Sequence, residues 1–108
     1  MQLQIKNEIS KLTDQINSVA SISSIYLFGS FAYGTPDDDS DLDLCIVTRE
    51  EDMRKRELIK IIRKSITQVA TMPVDILVYY KDEFYDKAAL ESTIEYKIVS
   101  EGVNVYEN

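Results

Sequence analysis

Histidine and tryptophan are absent from this 108-residue sequence; cysteine occurs once, proline twice and glycine three times. Each scarcity removes chemistry. Without histidine there is no Ser-His-Asp or Cys-His nucleophile system, no HExxH metalloprotease and no His-ligated zinc site. The single cysteine, Cys45, allows neither a disulfide framework nor a four-cysteine zinc site. Positive charge is also short, with 12 Lys and Arg against 19 Asp and Glu and a net charge of -7. That balance argues against unaided binding of duplex nucleic acid, which needs a basic face. No apolar run approaches the roughly 20 residues that cross a bilayer, and the N-terminus has no continuous apolar signal region. The expectation is a cytoplasmic protein with no membrane partner. Repeats, low-complexity tracts and linkers are missing as well, so residues 1–108 read as a single domain.

What is present is periodic. In residues 3–20, Ile5, Ile9, Leu12, Ile16 and Val19 form one apolar helical stripe, with Lys6, Glu8, Lys11 and Asp14 turned outward. Residues 21–24 break that pattern, and Ile25-Tyr26-Leu27-Phe28 reads as a short buried strand stopping at Gly29. Residues 41–47 alternate, with Leu42, Leu44 and Ile46 opposite Asp41, Asp43 and Cys45. A second helix is expected over residues 50–70, its acidic start (Glu50, Glu51, Asp52) suiting the helix dipole. Pro73 opens a strand over residues 74–80, a short helix covers 82–90, residues 92–100 are ambiguous, and 103–106 form a last strand. This order predicts a small α/β domain of the α+β type, a mixed sheet flanked by helices.

The segment from Gly29 to Leu44 carries the chemistry. Gly29-Ser30 ends a strand in a sharp turn that bares backbone N–H groups and a hydroxyl, a cradle suited to phosphate. Gly34 lets the backbone bend again near a ligand. Asp41 and Asp43, two apart on a strand, leave the same face about 7 Å apart. Two carboxylates on a packing face would be costly unless a cation neutralises them, and Mg²⁺ commonly bridges one or two carboxylates to substrate phosphates. Asp75 is a third acid in an otherwise apolar strand, and all three converge if the two strands are neighbours.

Gly-Ser, ten residues, then Asp-x-Asp within Ser40-Asp41-Leu42-Asp43-Leu44 resembles the signature of the DNA polymerase beta-like nucleotidyltransferase superfamily. The short chain is most similar to minimal nucleotidyltransferases (MNT), the antitoxins paired with HEPN-domain toxins. The resemblance covers nearly the whole chain in element order. It implies a polymerase beta-like fold in which Gly29, Ser30, Gly34 and Ser40 hold the nucleotide and Asp41, Asp43 and Asp75 bind two Mg²⁺ ions. It implies transfer of AMP from ATP to a tyrosine of a HEPN partner, with pyrophosphate leaving and Asp75 helping to deprotonate the hydroxyl. Many MNT antitoxins carry Gly-Ser-x-Ala-Arg-Gly, whereas Tyr33 precedes Gly34 here, so a bidentate phosphate contact is lost. Two other readings stay open: neutralisation of the partner by occlusion without catalysis, and a small-molecule nucleotidyltransferase of the aminoglycoside-modifying kind. Nucleotide preference and homo-oligomerisation are open as well.

Other features have plainer readings. Asp37, Asp38 and Asp39 read as a solvated loop. Asp39, Asp41, Asp43 and Glu50 fall on EF-hand positions, but Leu44 replaces the turn glycine and the segment alternates like a strand. The basic cluster Arg54-Lys55-Arg56 with Lys60, Arg63 and Lys64 reads as a solvated helix face. Tyr79, Tyr80, Phe84 and Tyr85 suit core packing or a partner patch, and Cys45 a buried small hydrophobe.

Overall fold

The computed structural model describes residues 2–108. In chain order these form α1 (Leu3–Val19), β1 (Ile22–Phe28), α2 (Ser30–Tyr33), β2 (Leu42–Thr48), α3 (Lys55–Thr67), β3 (Val74–Tyr80), α4 (Lys81–Ala88), α5 (Ile94–Glu101) and β4 (Val103–Glu107). The four strands make one mixed sheet in the order β3-β2-β1-β4. β1 pairs antiparallel with both β2 and β4, and β2 pairs parallel with β3. A parallel pair needs a crossover connection, and α3 supplies it.

Both faces of the sheet are covered, which explains why β1 reads as an apolar run rather than a clean alternation. On one face α1 and α3 pack Ile9, Leu12, Ile16, Leu58, Ile62 and Ile66 against Ile25, Leu27, Leu42, Leu44 and Ile46. On the other, Phe84 of α4 and Ile98 of α5 cover Tyr26, Cys45, Val47 and Tyr79. Phe84 is fully buried among three tyrosine rings, its centroid 5.1 Å from those of Tyr79 and Tyr85 and 5.8 Å from that of Tyr26. The aromatic cluster is therefore core.

Several local expectations are corrected. β1 begins at Ile22, since Ser23 and Ser24 are buried within it and Ser24 Oγ lies 3.3 Å from the Tyr85 hydroxyl. The second long helix starts at Lys55, so Glu50, Glu51 and Asp52 do not sit on its dipole. Glu50 instead accepts from the Ser21 amide, closing the end of the β1–β2 pair. Glu8 faces inward: it is 5% exposed and accepts from the Thr71 amide at 2.7 Å and the Thr71 hydroxyl at 3.0 Å. The ambiguous stretch is α5, capped by the Thr93 hydroxyl, which accepts from the Tyr96 amide. No helix among the described residues is long and apolar enough to cross a membrane.

Candidate active site

Side-chain alternation decides where the acids go. Leu42, Leu44 and Ile46 of β2 enter the α1–α3 core, so Asp43 shares the opposite face with Cys45 and Val47. In β3, Ile76 and Val78 take the first face, which puts Asp75 beside Leu77 and Tyr79 on the second. The parallel register sets Asp43 directly opposite Asp75, and the antiparallel register on the other side sets Asp43 opposite Phe28. Neighbouring strands lie about 4.8 Å apart, so the two carboxylates leave one face as adjacent neighbours. One row inward, Cys45 and Leu77 occupy the same two strands and belong to the α4–α5 core; Asp75 is exposed. Asp41 stands one residue before β2 and is half-buried like Asp43. The start of β2 is tied to β3 where the Leu42 amide donates to Pro73 O at 3.1 Å.

The electrostatics agree with this placement. Partial burial, followed by the negative charges of Asp75 and then Asp41, holds the Asp43 carboxyl above its ordinary pKa. Asp43 is thus the acid on which the charges of both Asp75 and Asp41 act. Among the described residues no three acidic, cysteine or histidine side chains stand close enough to close a metal cage by themselves. The donor set is nevertheless all carboxylate oxygen. Mg²⁺ suits such a set, because it takes one or two carboxylates and completes its shell with water and substrate phosphate.

Gly29 closes the site from the β1 side. It has φ +73°, and a Cβ built there would collide with Oδ2 of Asp43. Glycine is thus required twice, by the positive φ and by the carboxylate against it. Its carbonyl accepts from the amides of Ala32 and Tyr33, both at 3.0 Å, while those of Ser30 and Phe31 meet no acceptor among the described residues. The first amides of any helix lack internal partners, so this turn offers free donors beside the acids. Gly34 ends α2 at φ +82° with open space around it. The Ser40 hydroxyl accepts from the Asp37 amide at 2.9 Å, so it shapes the acidic loop.

A cleft of about 820 Å³ runs behind α2, lined by Phe31, Ala32, Gly34, Pro36, Asp37 and Asp38 together with Gln2, Ile5 and Val103. The three acids lie outside it, on the sheet face. The EF-hand reading fails because β2 holds residues 42–48 extended. Cys45 is fully buried, and burial, then the charge of Glu95, pushes its thiol up, so it is no nucleophile. Sequence reasoning misses the α2 turn, since four residues carry no periodic signal. It also misses Lys97, whose ammonium stands 4.8 Å from the centroid of the Tyr33 ring.

Comparison with known proteins gives three findings. The family model described as a nucleotidyltransferase domain matches residues 6–100. No curated protein matches the sequence significantly. Among solved structures, a Sulfolobus solfataricus protein assigned as a nucleotidyltransferase is similar at TM-score 0.69 and 17% identity, over 98% of this chain and 83% of that one. A toxin–antitoxin complex with AMP-PNP includes a chain similar at TM-score 0.54 and 22% identity, over 95% of this chain and 73% of its own. A tri-AMPylated Shewanella oneidensis HEPN toxin in complex with MNT antitoxin gives TM-score 0.52 and 20% identity, over 100% and 74%. At these identities the structural likeness is one of fold.

Proposed function

The chain belongs to the nucleotidyltransferase domain family, and from that premise we propose that it transfers AMP from ATP to a tyrosine hydroxyl of a HEPN-type toxin. One observation carries the reading. The sheet register sets Asp43 beside Asp75, with the Asp41 charge acting on Asp43 and the Gly29–Ser30 turn packed against it. Nucleotidyl transfer needs that combination of acids and free amides. The similarity in fold to an antitoxin in complex with a tri-AMPylated toxin supports the choice of acceptor.

In this reading Asp41, Asp43 and Asp75 hold two Mg²⁺ ions, whose charge, when they are bound, offsets that of the triphosphate and of the leaving pyrophosphate. The amides of Ser30 and Phe31 and the Ser30 hydroxyl hold the phosphate chain, with Gly34 and Ser40 shaping the loop around it. Asp75, the most accessible of the acids, takes the proton of the incoming hydroxyl. The hydroxyl oxygen then bonds to the α-phosphorus as the bond from that phosphorus to pyrophosphate breaks. Positioning and charge neutralisation suffice for such a transfer, which is why a sequence without histidine can perform it.

The test is incubation with labelled ATP, Mg²⁺ and a HEPN-domain protein encoded beside this one. Label on a tyrosine of the partner, lost with Asp41→Ala/Asp43→Ala, is the expected result. Label that persists in the double variant contradicts the reading. Full neutralisation of the toxin by the unlabelling variant would favour occlusion instead.

A further inference from the structure

A triphosphate brought to this site meets Asp41, Asp43 and Asp75, and even with two divalent ions the phosphate chain gains from a protein cation. The side chain that brings positive charge to the 29–34 turn comes from a distant part of the chain. Lys97 of α5 places its ammonium 4.8 Å from the centroid of the Tyr33 ring. Its helix is firmly seated: Ile98 is fully buried, and Glu95, nearly one turn earlier, accepts from the buried Tyr79 hydroxyl at 2.7 Å. Lys97 itself is exposed, and no carboxylate pairs with it among the described residues, unlike Lys11, Lys55 and Lys87.

The geometry of α2 connects this cation to the phosphate cradle. Ser30 and Tyr33 open and close a single helical turn. Residues three apart share a face, about 5–6 Å between Cβ atoms. A lysine resting on the Tyr33 ring therefore stands on the side of α2 that Ser30 shares. An exposed cation–π contact is weaker than a charge-assisted hydrogen bond to phosphate, and a four-carbon stem lets the ammonium move between the two.

We propose that Lys97 is a nucleotide-binding residue, parked on Tyr33 in the free protein and moving onto the β- or γ-phosphate of the bound nucleotide. The inference rests on the nucleotidyltransferase reading and names one more contact of the same site. It is tested by measuring the affinity of the whole chain for AMP-PNP with Mg²⁺, and for AMP, in the parent, Lys97→Met, Lys97→Arg and Tyr33→Arg/Lys97→Met. Lys97→Met is expected to weaken AMP-PNP about 10-fold, the scale of one charge-assisted contact. AMP, which lacks the outer phosphates, should change less than about 2-fold. Lys97→Arg should retain affinity for AMP-PNP, and Tyr33→Arg should restore it in the Lys97→Met background, since a guanidinium there reaches the same phosphates. Unchanged AMP-PNP affinity in Lys97→Met, or equal weakening of AMP and AMP-PNP, overturns the role of Lys97 alone. A parent protein that binds no AMP-PNP overturns the nucleotide reading itself and Lys97 with it.

Discussion

Asp43 and Gly29 are the pair on which the site turns. A carboxylate held above its ordinary pKa by burial and two like charges is a place where a cation is wanted. Gly29 is its backstop: φ +73° with ψ -159° is a region essentially confined to glycine, whereas Gly34 lies in the ordinary left-handed region (φ +82°, ψ 20°) with nothing within 4 Å of the point a Cβ would occupy. Gly34→Ala should therefore cost only the left-handed backbone, about 1–2 kcal/mol by urea unfolding. Gly29→Ala should cost more and abolish nucleotide binding, because the Asp43 carboxylate must move. Equal losses in the two variants would show that neither the Gly29 backbone nor its contact with Asp43 constrains the fold. Both glycines are legible in the sequence as turn residues. The contact between Gly29 and Asp43 is not, since it depends on how β1 and β2 pair.

Among the elements, α1 shows where periodicity succeeds and where it fails. Its stripe is right for Ile9, Leu12 and Ile16, all buried. The polar face reads as outward throughout, yet Glu8 is buried because its partner, Thr71, lies in the α3–β3 connection 63 residues away. No local pattern announces such a bond. Burial raises the Glu8 pKa, but the Thr71 bonds and Lys11 at 3.0 Å outweigh it, leaving the carboxyl below its ordinary value. The sign follows: ionised Glu8 contributes stability above the ordinary carboxylate range, and that stability is lost as pH falls through the lowered folded value. Glu8→Gln should reduce stability near neutral pH by about 1–3 kcal/mol and flatten the acid limb of stability against pH. Urea titrations across that limb check it; an unchanged limb would mean that Glu8 is not holding α1 to the α3–β3 connection. The start of α3 is misread for a related reason, because Glu50 bonds to Ser21 across the end of the central β1–β2 pair instead of sitting on a helix dipole.

At the scale of the molecule, the acidity that first marked the sequence has a location. Five of its negative charges fall in the seven residues from Asp37 to Asp43, and the rest of the chain is near neutral. The sheet adds Asp75 to that end by pairing β2 parallel with β3, an arrangement that the sequence suggests only as a condition. Fold and acids are readable because alternation, stripes and the Gly-Ser-to-Asp-x-Asp spacing are local signals. The cation over Tyr33 is not, because 64 positions separate it from its neighbour. The proposed nucleotide site on β2 and β3 is tested most directly by titration calorimetry of AMP-PNP into the parent protein and Asp43→Asn, each with and without Mg²⁺. Binding that requires Mg²⁺ and weakens at least about 10-fold in Asp43→Asn is predicted, since metal sites lose that much even when only a supporting residue is removed. Binding that is indifferent to both Mg²⁺ and Asp43 would contradict the assignment.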